Sequence, residues 1–410
     1  METGSYRPPS ETPAVTDPPR SRASVAALVA GGSLISAGLG AYEIAPASVT
    51  PLVRETLGVT ASAAGLIVSV MFGTAVVASL PVGVVLDRVD SRRAVAVAVV
   101  GVLLAGVWGL LAGRASAYRS LVASRVLGGI AYVVVWNAGI DIVSEAVPAD
   151  SRATVVGCFT ASGPVGFAIG QATGPQVAAW FGWPAVLVAY TGLAVVGLAL
   201  FWPASRGLGG VGGGTPSLAA FGGVLRNRRV WLVGSLGFLA YALYLFVNSW
   251  GPTYLTESVG LSLATSGALV ALFPAVGVVS RISGGALSDR LFGGRRRPVV
   301  FGSFVAAVPL TVALAQAETI AVLVAALLLS GLAIQLTLGL AFAYVRELVE
   351  PEVAATAVAF QTAVGLAGAF IAPIAGGALI ETAGYRPAFL GVAGVAACGA
   401  LLAWRAPEPP

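Results

Sequence analysis

Apolar runs of about twenty residues recur twelve times along this 410-residue chain, and that recurrence leaves few folds open. They fall at roughly 25–48, 60–86, 94–113, 118–143, 153–179, 184–203, 230–250, 263–287, 298–316, 319–345, 353–380 and 386–404. At 1.5 Å per residue, a helical run of that length crosses a bilayer core about 30 Å thick. Lipid offers the backbone no hydrogen bonds, so a spanning segment must be a helix or part of a closed barrel. A barrel would read as alternating strands of about ten residues instead. Only 10% of residues are charged and 57% are hydrophobic, with a mean hydropathy of +0.90. An ordinary soluble domain carries about 25% charged residues. The expected class is an all-α polytopic membrane protein.

The runs sort into two sets of six. Residues 1–24 are polar and Pro-rich and read as a disordered tail without the apolar core of a signal peptide. Residues 25–203 form the first bundle, 204–229 a linker with a Gly-rich start, 230–404 the second bundle and 405–410 a short tail. All 23 cations are arginine. With the first helix entering from the cytoplasm, 17 of them lie in cytoplasmic segments. Four lie outside (Arg54, Arg114, Arg119 and Arg386) and two within spans (Arg125 and Arg281). That bias predicts a cell-membrane protein with both termini in the cytoplasm. The net charge of +5 then reflects topology, and no nucleic-acid partner is expected.

Absences narrow the chemistry. There is no histidine, so imidazole proton relays and histidine metal sites are excluded. There is no lysine, so no nucleotide loop of the Gly-x-x-x-x-Gly-Lys type exists. No cofactor, metal or nucleophile constellation is found, and the chain is not expected to be an enzyme. Cys158 and Cys398 fall in predicted helices and read as small apolar filler rather than a disulfide.

The two halves repeat. "GVVLDR" (Gly83 to Arg88) recurs as "GALSDR" (Gly285 to Arg290), 202 residues later. "EAVPADSR" (Glu145 to Arg152) recurs weakly as "ELVEPEVA" from Glu347, and "FGWPAVLV" from Phe181 as "AGYRPAFL" from Ala383. Three landmarks at nearly one offset point to two six-helix bundles in parallel orientation, related by a pseudo-twofold axis, with a cavity between them near the bilayer midplane.

At these residues the chain resembles the major facilitator superfamily, over residues 25–404. The family's loop signature stands here as Gly83, Asp87, Arg88, Arg92 and Arg93, with Asp90 in place of the usual second glycine, and again as Gly285, Asp289, Arg290 and Arg295 to Arg297. The resemblance implies a latch between the bundles on the cytoplasmic side, made by Asp87, Arg88, Glu145 and Arg152, with Glu145, Pro148 and Arg152 similar to the helix-4 exit motif. Helix 5 carries Gly170, Gly174 and Pro175, similar to a pattern common in antiporters, although close packing and a proline bend explain it equally.

Ionisable groups inside a span cost a few kcal/mol and face the bundle interior. Arg281 lies eight residues before Asp289, about 12 Å in from the cytoplasmic edge and near the midplane. It is a permanent cation whose planar fork suits a carboxylate. A helix-8 arginine is similar to that of nitrate and monocarboxylate carriers. The helix-2 arginine of nitrate carriers has no counterpart, because Ser79 stands at the matching place. The alternative for Arg281 is a structural partner among backbone carbonyls or Glu43. Glu43 of helix 1 is the best proton-coupling candidate in a chain without histidine; the alternative is permanent pairing with Arg125 or Arg281. Arg125 resembles a helix-4 arginine of proton-coupled antiporters. Asp141 shares a helix face with Glu145 and reads as part of the latch or of proton transfer.

Tyr42, Trp136, Asn137, Gln171, Asn248, Tyr254, Gln335 and Gln361 are polar groups that line a cavity or bond between helices, and Trp250 and Tyr254 are expected in the outer interfacial belt. The expected function is secondary active transport by alternating access, as a monomer, of a small organic anion coupled to protons. The alternatives are proton-coupled drug efflux and a non-transporting receptor on the same fold.

Overall fold

A computed structural model describes residues 21–209 and 218–408. Residues 210–217 of the Gly-rich linker and residues 1–20 of the N-terminal tail lie outside the described residues. Twelve described helices are long and apolar enough to cross a membrane. We number them helix 1 (Arg22–Ser48), 2 (Ala61–Leu86), 3 (Ser91–Arg114), 4 (Tyr118–Glu145), 5 (Val155–Phe181), 6 (Trp183–Ala204), 7 (Arg228–Glu257), 8 (Leu263–Arg281), 9 (Arg297–Gln316), 10 (Ile320–Glu347), 11 (Pro351–Ala383) and 12 (Tyr385–Trp404). Helix 8 continues to Leu291 after a break at Val276, which follows Pro274. Beyond its Gly-rich start the linker contains a short helix, Leu218–Arg226.

Local sequence sets where these helices start. Ser21, Thr60, Asp90, Asn227, Ser262 and Thr319 each accept a backbone N–H of the first turn through the side chain. Asp90 thus caps helix 3 at the position where the loop signature usually has a glycine, so the departure has a structural use.

The duplication shows in the turns as well as in the motifs. Gly58 and Gly260 close the turns that lead into helices 2 and 8, with φ of +61° and +81°. Gly182 and Gly384 do the same between helices 5 and 6 and between 11 and 12, at +81° and +85°. Both pairs are 202 residues apart. Only glycine enters that region without strain, so the spacing records the repeat in backbone geometry.

Each half packs by one plan. Helix 1 lies against helices 5 and 6, helix 2 against 4, and helix 3 against 4 and 6; helix 7 lies against 11 and 12, helix 8 against 10, and helix 9 against 10 and 12. The halves meet where helix 2 packs on helix 11 and helix 5 packs on helix 8, a pseudo-twofold pair of contacts.

The two ends of this interface differ. We call the end bearing Asp87 and Asp289 the signature end. At the opposite end the halves are sealed. Ser62 donates its N–H and hydroxyl to Glu381 Oε1 at 2.6 and 2.7 Å. Arg54 lies 3.5 Å from Glu257, which also accepts the Tyr385 hydroxyl at 2.7 Å. Gly65 sits beneath the Pro373 carbonyl and Gly377 against the Ala61–Ser62 backbone, with no room for a Cβ at either. Towards the signature end the halves part: helix 2 has no buried residue beyond Ala75, and Gly83 and Gly285 have only open space beside them.

Candidate functional site

Between the halves lies a cavity lined by residues from both of them. The first half contributes Ser36 and Glu43 from helix 1, Phe72 from helix 2, Tyr132 and Trp136 from helix 4, and Pro164 and Phe167 from helix 5. The second half contributes Tyr241 and Tyr244 from helix 7 and Arg281 from helix 8.

The two charged groups of the wall are not paired with each other. Glu43 is 2% exposed, and its Oε1 is buried without a hydrogen-bond partner. Arg281 likewise has a buried Nε with no partner, and its guanidinium carbon lies 5.6 Å from the centre of the Tyr244 ring. The negative ring face of Tyr244 offsets part of the cost of that cation. Tyr244 stacks on Phe167 across the interface at 5.5 Å and on Phe273 at 5.7 Å, while Tyr132 stacks on Trp136 at 6.0 Å.

Arg125 has a different position. It is fully buried and its fork is filled by backbone: Nε donates to Ile67 O at 3.0 Å, Nη1 to Tyr42 O at 2.9 Å and Nη2 to Glu43 O at 2.7 Å. It also sits 4.4 Å from the centre of the Tyr42 ring. Arg125 therefore ties helix 4 to helices 1 and 2 and fixes the backbone at Glu43 without pairing its carboxyl. The alternative of a permanent Glu43 ion pair is not what the structure contains.

Most of the other expected liners are placed elsewhere. Tyr42 is buried beneath Arg125, and Asn137 is half-buried outside the cavity wall. Gln171 donates to Asn248 O at 2.6 Å, joining helices 5 and 7, and Asn248 donates to Tyr244 O at 2.8 Å. Gln335 donates to Phe273 O at 2.9 Å, and Gln361 packs against Gly237. Trp250 and Tyr254, expected in an interfacial belt, are buried. Trp250 donates to Pro373 O at 2.9 Å, and Tyr254 to Ala315 O at 3.2 Å. Conversely, Tyr132, Tyr241 and Tyr244 line the cavity although sequence reasoning passed them over. Tyr132 lies two helical turns after Arg125, and Tyr241 and Tyr244 share a face with Asn248, which was the available signal.

The helix-5 motif faces helix 1: Gly170 lies against Ala41 and Ile44, and Gly174 against Ala45 and Ser48, while Pro175 meets Gly267 of helix 8. At the signature end, polar groups bond within their own halves. Arg296 joins Asp289 at 2.7 Å and holds Glu347 through two bonds of 2.7 and 2.9 Å. These carboxylates push the Arg296 guanidinium above the ordinary arginine value. In the first half the Glu347 counterpart, Glu145, accepts the N–H of linker residue Gly209 at 2.7 Å. Arg152 donates to Ser144 O at 3.1 Å and Arg92 to Trp202 O at 2.6 Å. Asp141 lies among acids, within electrostatic reach of Asp87 and Glu145. Arg88 and Arg290 are exposed. The expected latch across the halves through Glu145 and Arg152 is therefore not made in this conformation.

Relatives agree with this architecture. The sequence profile of the Major Facilitator Superfamily matches residues 28–316 and 284–410. The membrane sensor protein UhpC of Salmonella typhimurium is 34% identical over 76 residues, 18% of this chain and 17% of that one. A probable L-galactonate transporter of Escherichia coli is 24% identical over 267 residues, 60% of this chain and 58% of that one. The chain thus spans well under two thirds of the length of these curated relatives. Among solved structures, a bacterial homologue of the human lysosomal transporter Spinster, in an inward-facing and unoccupied conformation, superposes with a TM-score of 0.80 at 15% identity, covering 94% of this chain and 98% of that one. Twelve spans in two repeated halves, the paired loop signatures and the profile match together make this chain a member of the major facilitator superfamily.

Proposed function

We propose that this chain is a secondary active transporter that moves a small organic anion together with protons by alternating access. One observation carries the reading: a cavity walled by both halves holds Arg281 and Glu43, each with a buried polar atom that no protein group satisfies. Unsatisfied buried polar groups are costly, and these two share one wall between the halves, where an arriving substrate can meet both. An anion fits the permanent cation of Arg281. Glu43, free of any partner for its Oε1, is the group that loads and releases the coupling proton. L-Galactonate, after which one relative is named, is a carboxylate and belongs to the same class.

In this reading the chain is a cell-membrane monomer, and its signature end faces the cytoplasm, the side that the arginine bias favours. The sealed far end then makes the present conformation open to the inside. Asp87, Arg88, Glu145 and Arg152 close that side when the halves rock. Efflux of lipophilic cations, the other proton-coupled reading, is opposed by the fixed charge of Arg281. A receptor that binds without transporting is the second reading, favoured by the similarity of one segment to a membrane sensor.

Proteoliposomes with an inward proton gradient test this, using a panel of labelled monocarboxylates. The expected result is gradient-driven uptake that falls at least about tenfold in kcat/KM in Arg281→Gln, equivalent to about 1.4 kcal/mol. Absence of uptake across the panel, or uptake indifferent to Arg281→Gln, overturns the anion reading. Saturable binding without uptake favours the receptor.

A further inference from the structure

We infer that the preferred substrate is an aromatic monocarboxylate rather than a hydroxylated aliphatic one. The inference rests on the anion reading of Arg281 and adds to it the character of the surrounding wall. A sugar acid presents several hydroxyls, each of which loses hydrogen bonds to water when it is buried and must regain them from the protein. The buried side-chain amides that could supply them lie outside the cavity wall. Gln171 joins helix 5 to the Asn248 carbonyl of helix 7, the Asn248 amide bonds to Tyr244 O within helix 7, Gln335 joins helices 8 and 10, Gln361 lies against Gly237, and none of them lines the cavity.

What faces the space is mostly aromatic, with the Ser36 hydroxyl and the tyrosine hydroxyls as its uncharged polar groups. Phe72, Tyr132, Trp136, Phe167, Tyr241 and Tyr244 surround the region between Glu43 and Arg281. They include two stacked pairs, Tyr132 with Trp136 within helix 4 and Phe167 with Tyr244 across the interface, with ring centres 6.0 and 5.5 Å apart. Planar faces of this kind favour another planar ring, by offset stacking or edge-to-face contact, beyond what area alone gives. The Arg281 guanidinium beside Tyr244 supplies the carboxylate contact at the edge of that aromatic region. A ring bearing one carboxylate uses both features and needs no further polar partners. Phe167 and Tyr244 belong to different halves, so a ring held against that pair also touches both moving bodies.

Labelled benzoate and phenylacetate compared with lactate and galactonate in proteoliposomes decide the matter. The expected result is a kcat/KM for the aromatic acids at least about tenfold higher. Tyr244→Phe, which keeps the ring, should retain that preference, and Tyr244→Leu should raise KM for benzoate about fivefold or more. Monodisperse elution in detergent checks that each variant is folded, and Phe167→Leu gives an independent reading from the other half. Uptake of lactate or galactonate with benzoate and phenylacetate excluded overturns the aromatic inference and leaves the anion reading standing. Uptake of none of the four overturns both.

Discussion

Arg125 donates from Nη2 to the backbone carbonyl of Glu43 at 2.7 Å, while Oε1 of the same glutamate has no hydrogen-bond partner. A cation beside an acid would ordinarily pair with its side chain. Here the guanidinium fork is already filled by three carbonyls from helices 1 and 2, so it acts as a rail for the backbone and leaves the carboxyl available.

That arrangement predicts a graded response at Arg125. Lysine keeps the charge but cannot reach three carbonyls in fixed directions. Arg125→Lys should lower the thermal unfolding midpoint in detergent, and Arg125→Gln should lower it further, by about 2 kcal/mol or more of stability. Equal midpoints for wild type and both variants would contradict the tether.

Glu43→Gln should separate binding from coupling. The amide cannot carry a proton on and off, yet it keeps the shape of the carboxyl. Exchange of labelled for unlabelled substrate across proteoliposomes should persist, while accumulation driven by a proton gradient should disappear. Retained accumulation in Glu43→Gln would assign coupling to another group.

The far-end seal depends on backbone contact at Gly377, where a side chain would meet Ala61 and Ser62 of helix 2. Gly377→Leu should hold that end apart and abolish turnover. A cysteine placed at Gly83, which lies in open space here, should label quickly with maleimide in the otherwise wild-type protein. Its labelling should slow several-fold when Gly377→Leu is added, as the signature end closes. Unchanged labelling would mean that the two ends are not reciprocally coupled.

Gln335 fits against Gly277 immediately after the break in helix 8 and donates to Phe273 O one turn earlier. Arg281 is the next turn along. Gln335→Leu removes the bond and should cost about 1–3 kcal/mol. It should also raise KM for the transported anion, because the segment carrying Arg281 loses its support. A shift in the unfolding midpoint with KM unchanged would limit Gln335 to a structural part.

Sequence alone determined the twelve spans, the two repeated halves, and the rarity of Arg125, Arg281 and Glu43 within them. Each of these follows from a local quantity: the transfer of a segment of about twenty residues, or of one charge, into lipid. The 202-residue offset of the signatures needed no structure either, and the glycine turns at Gly58 and Gly260 and at Gly182 and Gly384 repeat it in the backbone. The tertiary structure decided which way the polar side chains face. In water a helix shows its inner face by amphipathic pattern; in lipid the outward face is as apolar as the core, so that signal fades. Hence Gln335, Gln361 and Trp250 could not be told from cavity or belt residues by sequence, and Tyr132, Tyr241 and Tyr244 carried no mark of lining the site. The open signature end and sealed far end were also beyond the sequence, because they are set by contacts between segments distant along the chain, Ser62 with Glu381 and Arg54 with Glu257.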